Sequence, residues 1–512
     1  MANATGSLRR PHLRAIRDGR PNQAGAEQQP HLTATLLLSC LAQFMVILDV
    51  SVVNVALPSI RLGLHFSEEN LQWVVNAYTV TFAGFLLLGG RAADLLGRRR
   101  VFVSGLLLFA LASLAGGVAQ SQGMLIAARA AQGLGGAVIA PASLSILTTT
   151  FAEGAARNRA VGIWGAMGGA GGAAGVLLGG ILTDLLSWRW ILFINVPIGI
   201  GAALLTQHYI LEQRDRDRDR HFDLAGAVTA TLGLSVLVLG IVRTDTTGWG
   251  SAQTLGLMAA GIALILAFVA IEGRFAKAPL MPLRIWASRT LSAANAVIFL
   301  VGAAVFAMWF FMSLYLQQVE GYSPIKAGLA FLPMTLCIVA GSAFASRAVT
   351  RVGAKRLLVV GMVFQTVGLL LFTDISAGGT YLGEVLVPSL LVAIGIGLAF
   401  VPATIAAVAG VEPHEAGLAS GLVNTSRLVG GALGLAILAA LATAHTTSRL
   451  RAAGTHLTLQ VAHAALTSGF ELAFLIAAVF AAIGAVIATF GLPPLRARQQ
   501  ASEAHGAAVE AA

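Results

Sequence analysis

Three ionisable side chains sit inside long apolar runs: Asp49 in LDVSVVNVALPSI (48–60), Arg129 in RAAQGLGG (129–136) and Arg427 in LVNTSRLVGG (422–431). Burying a charge in hydrocarbon is costly unless it is paired or hydrated, so such residues point to function before they point to packing. A carboxyl group at Asp49 can bind and release a proton while facing one compartment and then the other. The plainer account is a static polar contact with a neighbouring helix. Arg129 cannot deprotonate, so its chemistry is to bias a nearby carboxylate or to orient water. Gln132 falls on nearly the same helical face. Arg427 belongs either to the interior or to a cytoplasmic mouth.

These residues need a membrane around them, and the composition supplies the reason to expect one. Of 512 residues, 57% are hydrophobic and only 11% charged, with a mean hydropathy of +0.80; soluble domains carry roughly 25% charged residues. The apolar runs are long and unbroken, which excludes the alternating pattern of a membrane β-barrel. About 20 apolar residues make one helical crossing. Spans are expected near 32–58, 71–90, 101–120, 123–148, 160–182, 190–211, 222–243, 254–273, 291–316, 325–346, 356–374, 385–409, 416–442 and 469–491. The first run is too long for a signal-peptide core and lacks a small-residue cleavage site, so it is expected to remain as the first span.

Charge placement gives the topology. All but eight of the 33 Lys and Arg residues fall on one side of this alternating scheme. Six (Arg61, Arg189, Arg243, Lys326, Arg449, Arg451) fall on the other, and Arg129 and Arg427 lie within spans. The positive-inside rule then places both termini in the cytoplasm. Because the net charge of +10 sits in loops, without a basic face interleaved with aromatics, nucleic-acid binding is not expected. Cys40 and Cys337 have no metal-ligand spacing, and the histidines are scattered. Neither a metal site nor the clustered side chains of a membrane-embedded enzyme is therefore expected.

The chain also repeats itself. GRAADLLGRRR (90–100) after the second span matches SRAVTRVGAKR (346–356) after the tenth, and GLGGAVIAPAS (133–143) matches GIGLAFVPAT (395–404). Spans 1–6 therefore correspond to spans 9–14, with spans seven and eight as an insert. The implied division is a tail over 1–30, a six-helix bundle over 31–212, a charged linker over 213–221, inserted helices over 222–274, a second six-helix bundle over 275–492 and a tail over 493–512. In this register the counterpart of Arg129 is Leu391, so the arginine is a feature of one half only.

Span five is rich in glycine, including Gly175, Gly179 and Gly180. Small residues permit close helix approach, either as a fixed interface or as a sliding surface between the halves. The loop with Gly90, Asp94, Gly97, Arg98 and Arg99 sets topology at the least. Its duplication favours a second role, in which Asp94 docks on a helix N-terminus of the other half and locks one conformation.

With these motifs the sequence resembles the major facilitator superfamily and, within it, the fourteen-span drug:proton antiporters of the EmrB/QacA type, over roughly residues 32 to 491. GRAADLLGRRR is similar to the family's loop motif, with Ala92 in place of the usual Leu. LDVSVVNVALPSI is similar to the span-one signature, and RAAQGLGG to the span-four motif whose arginine is tied to proton coupling. SWRWILFINVPIG (187–199) and LYLQQVEGYSPIKAGLAFLP (314–333) also resemble this branch. One motif departs: Gly175-Val176-Leu177-Leu178-Gly179-Gly180 lacks the proline of the family's span-five pattern, so that helix is expected to kink less.

The resemblance implies an all-α integral membrane protein of the major facilitator fold, with two six-helix bundles and two inserted helices. It implies a non-enzymatic exporter in the bacterial plasma membrane, working as a monomer by alternating access and driven by the proton gradient without a cofactor. Asp49 would carry the proton and Arg129 would modulate it. Asn54, Asn76, Tyr78, Gln132, Trp309 and Arg427 are candidates to line the cavity for a small lipophilic compound. The alternatives are a dedicated exporter of one metabolite or self-made antibiotic, a transporter-like sensor without flux, and a polytopic membrane enzyme.

Overall fold

The computed structural model describes residues 31–151, 155–212, 223–276, 279–409, 411, 415–454 and 458–493. The N-terminal tail, the whole charged linker and all but Pro493 of the C-terminal tail fall outside these residues. Among the described residues there is no strand, and fourteen helices are long and apolar enough to cross a membrane. They are α1 (Leu32–Leu64), α2 (Trp73–Leu96), α3 (Arg98–Gly117), α4 (Gln122–Thr150), α5 (Ala155–Leu185), α6 (Asn195–Tyr209, which completes its crossing with the preceding turn Trp190–Phe193) and α7 (Leu224–Val242). The series continues with α8 (Ala252–Ala270), α9 (Arg289–Leu314), α10 (Pro324–Val352), α11 (Ala354–Leu371), α12 (Val387–Ala409), α13 (Ala416–Ala452) and α14 (Leu459–Gly491). Several run past the apolar stretch that marks them in the sequence. A helix keeps its backbone bonds into the polar zone, as α13 does through His445, whose ring nitrogen meets Ser468 on α14 at 2.8 Å.

The internal repeat is realised as packing. In the first half α1 packs on α5, α2 on α4, and α3 on α4 and α6; in the second, α9 packs on α13, α10 on α12, and α11 on α12 and α14. Gly97 and Gly353, equivalent in the two loop motifs, both take positive φ, 107° and 91°, a conformation that costs glycine little. Pro141 and Pro402 interrupt α4 and α12 within the matched segments. Between the halves, α7 and α8 pair with each other, and α7 leans on α2 and α13. The start of α7 is capped by Asp223, which accepts the Gly226 N–H at 2.7 Å. Beyond α8, Glu272 accepts the N–H groups of Leu280 (3.3 Å) and Met281 (2.9 Å), tying the insert to the second half.

The halves meet through α5 with α10 and α2 with α13. Along α5, Gly171, Gly175 and Gly179 lie against the α1 backbone at Phe44, Leu48 and Val52, while Gly180 faces Pro324 and Ile325 of α10. Gly169 and Gly172 also face α10, at Val339 and Thr335, but Gly162, Gly165 and Gly168 meet nothing within 4 Å. The two helices thus touch toward the end of the bundle where α10 begins and part toward the end where α1 begins. With no proline, α5 runs unbroken over 31 residues.

A proline supplies a second closure. Pro58 has no N–H, so the Asn54 carbonyl four residues back loses its helical donor. The Ser313 hydroxyl of α9 takes that place at 2.6 Å. Gln317 donates to the next carbonyl, Val55, at 2.9 Å, and Arg61 donates to Gln318 at 2.8 Å.

A Cβ at Gly175 would sit 2.6 Å from the Ser51 Cβ and 2.8 Å from the Leu48 carbonyl. Gly175→Leu is therefore expected to overpack the α1/α5 contact by about 1–3 kcal/mol. Gly165→Ala, placed in open space, is expected to gain about 0.5–1 kcal/mol through helix propensity. Thermal unfolding of the purified variants in detergent checks both, and equal midpoints would contradict the packing described.

Candidate functional site

Asp49 lies mid-way along α1 and is fully buried, with 0% of its surface exposed. It is not a solitary anion. Arg129 of α4 donates through Nη1 to Asp49 Oδ2 at 2.6 Å and to Gln132 Oε1 at 2.8 Å, and through Nε to the Val74 carbonyl of α2 at 3.0 Å. The guanidinium also stands 4.5 Å from the centre of the Tyr78 ring. On the other carboxylate oxygen, Oδ1 accepts from Gln132 at 3.0 Å and from Asn195 at 2.9 Å.

Both amides also donate to Ser113 Oγ of α3, at 3.0 and 3.2 Å, and that hydroxyl donates to the Leu192 carbonyl at 2.8 Å. Five side chains from α1, α3, α4 and α6 thus form one closed polar cluster inside the first half. Such burial is tolerable because both carboxylate oxygens and the Nη1 and Nε groups of Arg129 have partners; removing one member of a buried ion pair typically costs about 3–5 kcal/mol. Oδ1 accepts from both amides, whereas Oδ2 accepts from Arg129 and keeps a second lone pair.

The expected site residues divide by position. Asp49, Arg129 and Gln132 come together in the cluster, and Tyr78 packs on its edge with a buried hydroxyl that has no hydrogen-bond partner. Asn76 is fully buried and donates to Gln72, just before α2, at 3.4 Å. Asn54 donates to the Val50 carbonyl of its own helix at 3.0 Å and takes part in the contact between halves through its carbonyl. Trp309 stacks on Phe331 of α10, 4.8 Å between ring centres. Arg427 of α13 is partly exposed where the halves meet, within electrostatic range of Tyr78.

In the loop motif, Arg99 donates to the Ile210 carbonyl at 3.2 Å, and Arg99 and Arg100 pair with Glu212 at 3.7 and 3.4 Å. These contacts hold the loop to its own half. The Asp94 side chain lies outside the described residues, so the docking expected of it is not placed. Gly90 meets only Pro141, at an ordinary 3.5 Å.

Sequence reasoning passed over Ser113 and Asn195. Asn195 stands within SWRWILFINVPIG, an amide in an apolar run, which was signal enough to single it out. Ser113 carries no such mark, because a lone serine in a span is ordinary.

Residues 39–435 match the family model of the Major Facilitator Superfamily. The cephamycin export protein CmcT of Amycolatopsis lactamdurans is 46% identical over 79% of this chain and 84% of its own. The puromycin resistance protein pur8 of Streptomyces alboniger is 38% identical over 87% of this chain and 88% of its own. Among solved structures, the inward-facing, unoccupied form of a bacterial homologue of the human lysosomal transporter Spinster has the same fold. It aligns with a TM-score of 0.65 at 15% identity, over 91% of this chain and 98% of that one.

Asn195→Leu removes one donor to a buried carboxylate and is expected to cost about 1.5–3 kcal/mol of stability, while Asn54→Ala, whose amide bonds only its own helix, is expected to cost under about 1 kcal/mol. Thermal unfolding in detergent separates them, and an indifferent Asn195→Leu would mean that the cluster does not hold the first half together.

Proposed function

The chain belongs to the major facilitator superfamily, and we propose that it exports a small organic compound from the cell by exchanging it for protons carried on Asp49. It is a many-span membrane transporter and not an enzyme; the exchange with protons and the role of each residue are our reading. The observation that carries this reading is the sealed Asp49–Arg129 pair, 2.6 Å long in an apolar bundle. A carboxylate placed there for packing alone would be costly, whereas one that binds a proton when α1 shifts against α4 couples protonation to movement.

Several features support the rest of the cycle. Helices α5 and α10 touch where α10 begins and part where α1 begins, whereas α2 and α13 stay in contact as far as Leu87 and Gly421. With both termini in the cytoplasm of a bacterial cell, as the excess of basic residues on that side implies, the gap between α5 and α10 opens to the inside. Rocking to the outward-open form would break the Ser313 and Gln317 bonds to α1 and slide the glycine face of α5 along α10. The loop from Gly90 to Arg99 would brace the cytoplasmic side. The exported compound would enter between the halves, near Tyr78, Trp309 and Arg427. No contact with a second chain is needed for any of this, so a monomer suffices, driven by the proton gradient without a cofactor.

A narrower reading is supported by the relatives. CmcT and pur8 are named for one antibiotic each, so this chain is either a dedicated exporter of one such compound or a broader drug exporter. Resistance to several unrelated compounds on expression in a sensitive host would favour the broad form.

Proteoliposomes with an imposed pH gradient test the exchange. Wild-type protein is expected to move a transported antibiotic uphill with matching proton flux. Asp49→Asn, nearly isosteric, is expected to keep the fold and lose the response to the gradient; Arg129→Ala should lose most of it. Uphill transport by Asp49→Asn at the wild-type rate would overturn the reading.

A further inference from the structure

The two arginines within the spans have opposite circumstances. Arg129 satisfies its guanidinium with a carboxylate, an amide and a backbone carbonyl. Arg427 pairs with no carboxylate among the described residues, and its Nε is buried without an acceptor. Its nearest aromatic neighbours are the rings of Phe306 and Phe400, at 5.9 and 5.8 Å, the outer edge of useful cation–π range. A guanidinium cannot relieve this by losing its proton.

Its neighbours are accessible as well. Phe306 of α9 and Phe400 of α12 are partly exposed, as is Arg427. Across the seam stands Tyr78 of α2, whose hydroxyl likewise lacks a partner. Ser420, Asn424 and Arg427 follow at helical spacing on one face of α13, all partly exposed. They form a polar stripe that leads from the end of the bundle where α13 begins.

We propose that Arg427 binds a carboxylate on the exported compound, whose apolar body lies against Phe306 and Phe400. This rests on the export reading and narrows it to amphiphilic organic anions. A planar fork of donors suits a carboxylate, which can take two parallel bonds from it. A neutral compound leaves the guanidinium unsatisfied, and a cation is repelled by it.

Binding of a matched pair, anthracene-2-carboxylate and anthracene-2-carboxamide, to the full-length protein in neutral detergent tests this by fluorescence titration, with empty micelles subtracted. Wild-type protein is expected to prefer the carboxylate by about tenfold or more. Arg427→Gln should erase the preference while keeping the affinity for the carboxamide, which also reports that the site is folded. Arg427→Lys should retain part of it. Equal affinities in the wild type, or a preference that survives Arg427→Gln, would overturn the proposal, as would loss of the preference on adding phosphatidylglycerol, which would give the site to a lipid headgroup. Binding in detergent needs no proton gradient, so failure of the proton-exchange reading is distinguishable from failure of this one.

Discussion

The Asp49–Arg129 ion pair is the constraint around which the first half is built. A carboxylate with no exposed surface obliges every helix within reach to present a donor. The bundle answers with Arg129 and Gln132 from α4, Asn195 from α6, and Ser113 of α3 behind the two amides. Net charge in the cluster is zero, which is what makes it tolerable in hydrocarbon, but the neutrality depends on α1 and α4 staying in register. A small shift between these helices separates two charges in a medium of low dielectric, where separation is expensive. Under the proposed exchange, protonation of the carboxylate and movement of the helices would for this reason be one event.

Backbone contacts govern how the halves move against one another. At α5 the absence of side chains lets Gly180 lie against the α10 backbone, so the contact is held by dispersion forces that change little as one surface slides on the other. At α1 the contact is directional instead. Pro58 strips a carbonyl of its helical partner, and Ser313 supplies another from the opposite half. A closed end that combines smooth packing with a few specific bonds can open without exposing unsatisfied groups to lipid, provided water enters as the bonds break.

Much of this was legible in the residues themselves. Spans could be counted because backbone polar groups in lipid must be satisfied within the helix, which forces long apolar runs. The six-plus-six correspondence showed in the repeated loops, and Gly97 and Gly353 carry it into backbone geometry. Asp49 and Arg129 stood out because charge is rare in such runs. Their pairing across 80 positions was not legible, since nothing local encodes which helix lies beside α1. Ser113 was invisible because serine is inexpensive to bury wherever a backbone carbonyl is near, as Leu192 is. The role of Pro58 also required α9 to be in place, because a freed carbonyl has meaning only once its new donor is known.

The charge on Arg427 bears on the energetics of exchange. In a bacterial cell the cytoplasm is electrically negative, so a proton moving inward gains about 2.3 kcal/mol per 100 mV of membrane potential. A neutral cargo moving outward gains nothing from the potential, and a cationic one loses what the proton gained. A monovalent anion moving outward transfers charge in the same sense as the incoming proton, so a one-for-one exchange gains about 4.6 kcal/mol per 100 mV, twice the figure for a neutral cargo. At about 1.4 kcal/mol per tenfold, that supports a concentration ratio of about three orders of magnitude from the potential alone. An uncompensated arginine beside the path is costly to fold, but if it takes the carboxylate of the cargo as proposed, it selects the class of compound for which a single proton does the most work.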